Sequence, residues 1–464
     1  MKRVVFEAAP YAVLLLLAVA ASLRQDLWLD EANALRILAL NPTDILEALR
    51  YDPSPPLWYM FLHGFSSLTG LDGASLRSLS IVFALLFVLV LSRLAERLGP
   101  GLGTLAAWLA ALNPMLLWYA SELRMYTLGL FLAAILLWLA LSSQLTPRRF
   151  HLAAAASTLA LCTHYYLAFL VLPLGLLILS RNPRFLAHAA PWMLAWAGLL
   201  WGWYPTMQSQ LDDGNYLLGP LSDYLQFEPF AALRDTLYYY CLGLGSRFPA
   251  WARVATALLC LGILGTALSR ARRRALLPSS LLGLYLGLPF LLSFVRPIYH
   301  AKRYTLFGLP LLLLLLALGL GSVRKPLLQK GLIAAVLGIF LTASIIQTFA
   351  FTKSLAHNIA GALHESGADL AVFVPFYHYL PVRRHSALPM NEQDESLATL
   401  LAAHAPERLA VLPNSAEAWT TWVRANALTD RPWQRLEVTR DQAVQAIYLV
   451  DLEEGTFPPR TTQK

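Results

Sequence analysis

The chain has little charge for its length. Of its 464 residues only 14% are Asp, Glu, Lys or Arg, where a soluble globular domain carries about 25%. Cysteine is scarcer still. Cys162, Cys241 and Cys260 share no motif spacing and two of them lie in apolar runs. That excludes a disulfide framework or a zinc site and leaves buried packing. There is no internal repeat, and no low-complexity segment beyond leucine-rich runs. A nucleic-acid-binding stripe is also missing: the net charge is +8, but the basic residues come in short clusters between apolar runs.

What the chain has in abundance is apolar length. Apolar residues make up 57% of it, and its mean hydropathy is +0.53. Runs such as 11–21 and 311–318 have no aqueous partner to serve, so the sequence specifies an α-helical polytopic membrane protein. Met1-Lys2-Arg3 followed by an apolar run has the outline of a signal peptide, but no small-residue cleavage site follows, and the run reads as an uncleaved first span.

Runs long enough to cross about 30 Å of hydrocarbon, roughly 20 helical residues each, fall near 4–22, 75–95, 101–118, 125–143, 187–206, 250–269, 276–295, 304–321 and 331–350. The segment 151–180 fits one long tilted helix or two short ones broken at Thr163-His164-Tyr165-Tyr166. Parity decides between them. Arg148-Arg149 and Arg181/Arg184 flank the segment, and both clusters have the character of cytoplasmic loops, so an even number of crossings separates them. Two short helices meeting at His164 give about eleven spans. The cytoplasmic set is then Lys2-Arg3, Arg93/Arg97, Arg148-Arg149, Arg181/Arg184, Arg270/Arg272/Arg273/Arg274 and Arg324/Lys325/Lys330. The outer face receives 23–74, 119–124, the 164–166 turn, 207–249, 296–303 and the tail.

The first external loop has structure of its own. Residues 32–40 predict a short helix with Asp30 as N-cap, stopped by Asn41-Pro42. Asp44 with Glu47 reads as a second start, a variant of the capping box. Pro55-Pro56 opens an apolar, aromatic stretch over 57–68, too short to span. These are expected to be interfacial helices lying along the membrane surface. In the loop 207–249, Asp212-Asp213-Gly214-Asn215 reads as a turn and Tyr238-Tyr239-Tyr240 as an aromatic run at membrane level. From about residue 354 the composition turns polar, with strands at 370–375 and 409–413, helices near 394–404 and 415–426, and further strand at Val438 and 446–450. The division is a membrane domain over 1–353 and a small extracytoplasmic α/β domain over 354–464.

Ionisable side chains at membrane depth are costly and therefore informative. On this topology many converge on the outer face: Asp30, Glu31 and Asp52 from the first loop, Glu122 and Arg124 between spans three and four, His164, Tyr165 and Tyr166 at the break, and Arg296, His300, Lys302 and Arg303 before the tenth span. Acids beside bases and aromatics suit a site that binds a sugar and a phosphate. Simpler roles exist for each. Asp30 serves as a plain N-cap, Asp52 precedes a proline as turn openers do, Glu122 and Arg124 can pair locally at a helix end, and Lys302 and Arg303 can snorkel.

Leu29-Asp30-Glu31-Ala32 after the first span and Asp52-x-x-Pro55-Pro56-Leu57-Trp58-Tyr59 resemble the polyprenyl-phosphate-sugar-dependent glycosyltransferases of GT-C fold. So do Tyr119-Ala120-Ser121-Glu122-x-Arg124-Met125-Tyr126 and Arg303-Tyr304 before an apolar span with Pro310. The branch it resembles most holds the aminoarabinose transferases and the protein mannosyltransferases. The likeness covers about 1–350 in layout, with sharp motifs only in 28–59 and 118–126. Many members carry His or Lys before the prolines, where Ser54 stands here.

The resemblance implies a transferase that moves a sugar from a polyprenyl-phosphate donor to a lipid, glycan or protein acceptor in the cell envelope, with Asp30 as general base. An acceptor hydroxyl loses a proton as it attacks the anomeric carbon, and a positioned carboxylate takes it. The lipid phosphate is already a good leaving group, which distinguishes this chemistry from the paired carboxylates of glycoside hydrolysis. Glu31, Asp52, Glu122, Arg124, His164, Tyr165, Lys302 and Arg303 are the expected substrate contacts, with Arg124, Lys302 or Arg303 facing the phosphate. A divalent metal is compatible with this set, but no spacing demands one. The competing class is a transporter or flippase of a lipid-linked substrate. It predicts charges at mid-membrane depth and paired repeats, and this sequence shows neither.

Overall fold

The computed structural model describes residues 2–142, 145–212, 227–243, 248–350, 356–374, 379–383, 386–391, 397–404, 406, 408–413, 416–426, 433–440 and 443–452. The expected turn at 213–215 lies outside them. The chain divides into two compact units, one of Met1–Leu23 with Ile37–Phe349 and one of Arg24–Arg36 with Ala350–Lys464.

The first unit is helical and multi-pass. Among the described residues six of its helices are long and apolar enough to cross a membrane, or up to eight if each of two bent pairs counts as one crossing. Its centre is the helix Leu309–Gly321, with Leu311 to Leu318 all buried. A helix that is apolar on every side has no face to offer water, so it goes to the middle. It packs against Ala250–Arg270, Arg272–Leu292 and Leu102–Ala111. Gly319 allows the closest of these approaches, since a Cβ there would collide with the backbone of Ile263. The outer helices carry apolar side chains on their exterior, among them Leu194, Trp201 and Leu327. That pattern matches a hydrocarbon surrounding rather than water.

The breaks between helices are built from short side-chain caps. The run 101–118, expected as one span, is interrupted: Leu102–Ala111 and Pro114–Ala120 meet at 61°. Asn113 starts the second piece, its Oδ1 accepting from the backbone of Met115 and Leu116, both at 3.1 Å, and Pro114 occupies the first helical position. The kink is held from the distant helix Pro326–Phe349. Ser344 Oγ donates to Leu112 at 2.9 Å and Gln347 Nε2 to Pro114 at 2.6 Å. The expected break in 151–180 is present: Pro147–Leu161 ends, a 3-10 turn covers Tyr165–Leu167, and Ala168–Arg181 follows.

Among the described residues of the second unit four strands, β1 Leu370–Val374, β2 Arg408–Pro413, β3 Trp433–Arg440 and β4 Ala443–Asp451, form one sheet in the order β1-β2-β4-β3. β1 and β2 are parallel, and the other pairings are antiparallel. Side chains alternate between the faces. Phe373, Leu412, Ile447 and Leu449 pack with Ile359 and Leu363 of the helix Ala356–Ser366. Val372, Val411, Tyr448 and Val450 pack on the other side with Trp419 and Val423 of Ala416–Ala425. Gly367, at φ +66°, closes the first of these helices, a left-handed C′ position that glycine fills without strain. The expected strand at 409–413 is therefore present, that at 370–375 is present over its described residues 370–374, and the run at 446–450 belongs to a longer strand paired antiparallel with β3.

Candidate functional site

Asp30 and Glu31 lie in the first turn of the helix Leu29–Leu38. The helix starts earlier than its sequence suggests, so Asp30 sits inside it and is not the N-cap. The cap is Trp28, whose carbonyl accepts from the N–H groups of Glu31 at 3.0 Å and Ala32 at 2.9 Å. Tryptophan has no side-chain oxygen for the N–H groups of the first turn, and Glu31 serves a different donor. Its carboxylate reaches back to accept from the Trp28 N–H at 3.3 Å, which is the second half of a capping box. Glu31 is fully buried.

The next helix is Pro42–Ala48, and its cap also differs from expectation. Asn41, not Asp44, opens it, with Oδ1 accepting from Thr43 and Asp44. Asp44 takes the third helical position and accepts from Asn41 Nδ2 at 2.7 Å. The helix opened by Pro55-Pro56 runs over Leu57–Thr69 as the sequence indicates and buries Trp58, Tyr59 and Leu62.

Between these two helices the loop around Asp52 meets three other parts of the first unit. Asp52 is 4% exposed and Arg124, on the turn before Tyr126–Ala140, is 6% exposed. Arg124 Nη1 lies 3.4 Å from Asp52 Oδ2, while the Tyr59 hydroxyl donates to the same oxygen at 2.7 Å. The guanidinium also donates to Tyr59 Oη at 3.1 Å and to Ser54 Oγ at 3.3 Å. Burial pushes the Asp52 carboxyl up, but Arg124 and the hydrogen bonds from Ser54 and Tyr59 outweigh it and hold the group below its ordinary value. Ser54, the departure from the family pattern, thus serves the buried arginine. Glu122 is buried on the same turn, where its carbonyl accepts from Ser80 Oγ at 2.6 Å.

His164 sits at the break beside this pair. Its Nδ1 accepts from the Tyr166 N–H at 3.2 Å, so the ring proton is on Nε2. Burial, reinforced by Arg124, pushes its pKa down to about 3, and it is neutral at physiological pH. The ring is walled by Phe307 at 5.0 Å and Tyr304 at 5.3 Å between centroids. Tyr304 in turn faces His300 at 5.4 Å. Through it the break meets the basic turn, where Lys302 and Arg303 are half-buried. The Lys302 carbonyl accepts from the Tyr119 hydroxyl. Burial, then Arg303 and Lys302, bring the His300 pKa down to about 3. Arg296 is exposed. Tyr166 donates to the Ile298 carbonyl.

Tyr165 leads to residues that the sequence did not flag. Its hydroxyl donates to Gln210 Oε1 at 2.7 Å and accepts from Trp203 Nε1 at 2.8 Å. Gln210 Nε2 donates to the carbonyls of Leu49 at 2.6 Å and Asp52 at 2.8 Å. The one available signal was the seven-residue spacing of Trp203 and Gln210, two turns apart on one face of the helix Leu186–Asp212.

Asp52, Arg124, His164 and Tyr165 therefore come together in the first unit, and the Lys302-Arg303 turn joins them through Tyr304 and through the bond from Tyr119 to the Lys302 carbonyl. Among the described residues no three His, Cys, Asp or Glu side chains gather closely enough to hold a metal ion. A cleft of about 640 Å³ does exist elsewhere, lined by Ser142, Thr146, Arg181 and Arg184. It opens where Tyr126–Ala140 and Ala168–Arg181 end, whereas the cluster above lies at their starts.

The fold has counterparts among solved structures. ArnT from Cupriavidus metallidurans, solved bound to undecaprenyl phosphate, aligns with a TM-score of 0.56 and 15% identity over 96% of this chain and 98% of that one. Its apo form gives the same TM-score and identity over 94% and 97%. An oligosaccharyltransferase from Archaeoglobus fulgidus aligns at 0.49 and 12% over 94% and 72%. No protein-family model matches the sequence, and no curated protein matches it either. The chain has the GT-C fold, as its motifs implied.

Proposed function

We propose that the protein is a membrane glycosyltransferase that takes a sugar from a polyprenyl-phosphate donor and passes it, with inversion, to a lipid, glycan or protein acceptor outside the cell. The observation that carries this reading is the meeting of four chain segments at Asp52, Arg124, His164 and the Lys302-Arg303 turn within a GT-C fold. The fold counterpart bound to undecaprenyl phosphate supports a lipid-phosphate donor. In this reading the eleven-span topology holds, with 1–353 in the membrane and 354–464 and the site facing outward.

The acceptor oxygen attacks the anomeric carbon as the carbon–oxygen bond to the lipid phosphate breaks. The hydroxyl proton passes to the Asp30 carboxylate, and the electron pair leaves on the phosphate. Lys302 and Arg303 meet the negative charge gathering there. Asp52 with Arg124 and Tyr59 forms a polar wall for the sugar hydroxyls. Glu122, on the same turn as Arg124, adds a carboxylate, and neutral His164 offers its Nε2 proton.

The test is a transfer assay with a panel of polyprenyl-phosphate sugars and membrane lipid extract as acceptor source. Wild type is expected to transfer at least one sugar, and Asp30→Asn to fold and transfer none. Full activity of Asp30→Asn sinks the base assignment. Net flux of lipid-linked sugar across liposomes without any transfer would establish the flippase class instead.

A further inference from the structure

The loop that carries Asp52 is poor in backbone donors, since Pro53, Pro55 and Pro56 contribute none. Its carbonyls nevertheless need partners inside the protein. The Asp52 and Ser54 N–H groups return to the Leu49 carbonyl at 3.4 Å and the Asp52 carbonyl at 2.6 Å, and Gln210 adds a donor from another helix. Its Nε2 hydrogens serve Leu49 and Asp52, and the Ser54 carbonyl lies on the same side at 3.5 Å. Three carbonyls on one side settle which way the amide points, because only the NH2 end can donate to them. The Oε1 end then faces Tyr165 and must accept. Tyr165 therefore donates, and its oxygen accepts from Trp203, whose indole nitrogen can only donate. Every link has one possible sense, from Trp203 through Tyr165 and Gln210 into the Asp52 backbone.

A second tie joins the same two regions, the Leu57 N–H donating to the Cys162 carbonyl at 3.0 Å. The Asp52 loop is thus anchored to the helix break through its backbone, and to Arg124 and Tyr59 through its side chain. Aligned hydrogen-bond chains of this kind polarise and strengthen one another.

We propose that Gln210 is a positioning residue for the Asp52 loop, oriented by Tyr165 and Trp203, and that Tyr165 acts through Gln210 and not on the substrate. The kinetic part of this inference rests on the transferase reading; the structural part does not.

The test measures hydrogen exchange of the amides of Tyr51, Asp52 and Ser54 in the full protein in lipid nanodiscs. Gln210→Ala is expected to raise their exchange about tenfold while peptides from Leu309–Gly321 stay protected. Tyr165→Phe removes one oxygen atom and should give a similar rise. The double variant should exchange no faster than the worse single, because both remove the same anchor. Gln210→Glu keeps the side-chain volume but sets an oxygen against the carbonyls, and it should release the loop as Gln210→Ala does; a packing role would tolerate it. In the transfer assay, kcat should fall about tenfold with KM for the donor changed less than twofold.

Unchanged exchange in Gln210→Ala, protected amides in Gln210→Glu, or additive effects of the two single variants overturn the proposal. A rise in KM alone in Tyr165→Phe overturns the assignment of Tyr165. If Gln210→Ala fails to fold, Tyr165→Phe and Trp203→Phe carry the exchange test. A wild type with no transfer activity defeats the transferase reading and leaves the exchange result to decide the anchor.

Discussion

Arg124 and Asp52 stand 72 positions apart in sequence, yet the arginine's Nη1 lies 3.4 Å from the carboxylate. Both side chains are almost wholly enclosed. Removing one partner of such a pair strands the other, at a cost of about 3–5 kcal/mol. Arg124→Ala is therefore expected to lower the melting temperature sharply. The double variant Asp52→Asn/Arg124→Gln, which leaves no buried charge of the pair, should recover part of the loss. Thermal unfolding in detergent measures both.

Three groups near the candidate site give stability a pH dependence. Asp52 titrates below its ordinary 3.8 in the folded state, so its contribution is complete above that value and is lost only as pH falls through the lower, folded one. His164 and His300 behave differently. Both fall from 6.5 to about 3 on folding. Between those values the unfolded chain binds protons that the folded one refuses, so stability should rise from pH 3 to 6.5 and level off above. Each histidine contributes a slope of at most about 1.4 kcal/mol per pH unit. Unfolding midpoints from pH 4 to 7 should show this slope in wild type and a shallower one in His164→Gln. The pH–rate profile between 6 and 8 should carry no limb from either histidine.

Glu31 accepts from the Trp28 N–H, and Glu31→Gln keeps an oxygen in that place. Glu31→Ala is expected to destabilise by about 0.5–2 kcal/mol, the usual range for a lost helix cap, while Glu31→Gln retains most of the stability. If Glu31→Gln folds as well as wild type yet loses transfer, the carboxylate charge has a role at the substrate beyond the helix start.

Gly129 lies where the helix Tyr126–Ala140 crosses Phe307, and a Cβ there would collide with the Phe307 ring. That ring forms one wall of the His164 pocket. Gly129→Ala should cost about 1–3 kcal/mol through overpacking. It should also reduce transfer more than an alanine at Gly262, where a Cβ meets open space. Paired melting and activity measurements on the two variants decide this.

The parts of the molecule legible in the sequence are those set by local rules. The apolar runs, the break at His164, the helix after Pro55-Pro56 and the strands at 370 and 409 all follow from periodicity and from what proline and a polar cluster do to a helix. Misreadings came where a neighbour overruled a propensity. Tryptophan has no side-chain acceptor for a cap, so Trp28 did not stand out as a helix start, although its carbonyl opens the helix and Glu31 reaches back to its N–H. The kink at Asn113-Pro114 carries the same dipeptide as the stop at Asn41-Pro42, but the apolar run continues past it and the donors that hold it lie on another helix, out of local reach. Gln210 was invisible for the same reason: its partners at Leu49 and Asp52 lie 161 and 158 positions away.

The kink at Leu112–Pro114 also says something about how the molecule comes into being. The Leu112 carbonyl, whose helical donor Leu116 N–H is taken by Asn113 Oδ1, accepts from Ser344, and the Pro114 carbonyl accepts from Gln347 as well. These donors follow 232 and 233 positions later. At about 5–20 residues per second, the ribosome delivers those donors roughly 12–46 s after the kink itself. An unanswered carbonyl in hydrocarbon costs several kcal/mol. Throughout that interval the nascent chain must keep this point wetted or sheltered by the insertion machinery. Docking of Pro326–Phe349 onto that older helix is thus a step of assembly separate from its insertion.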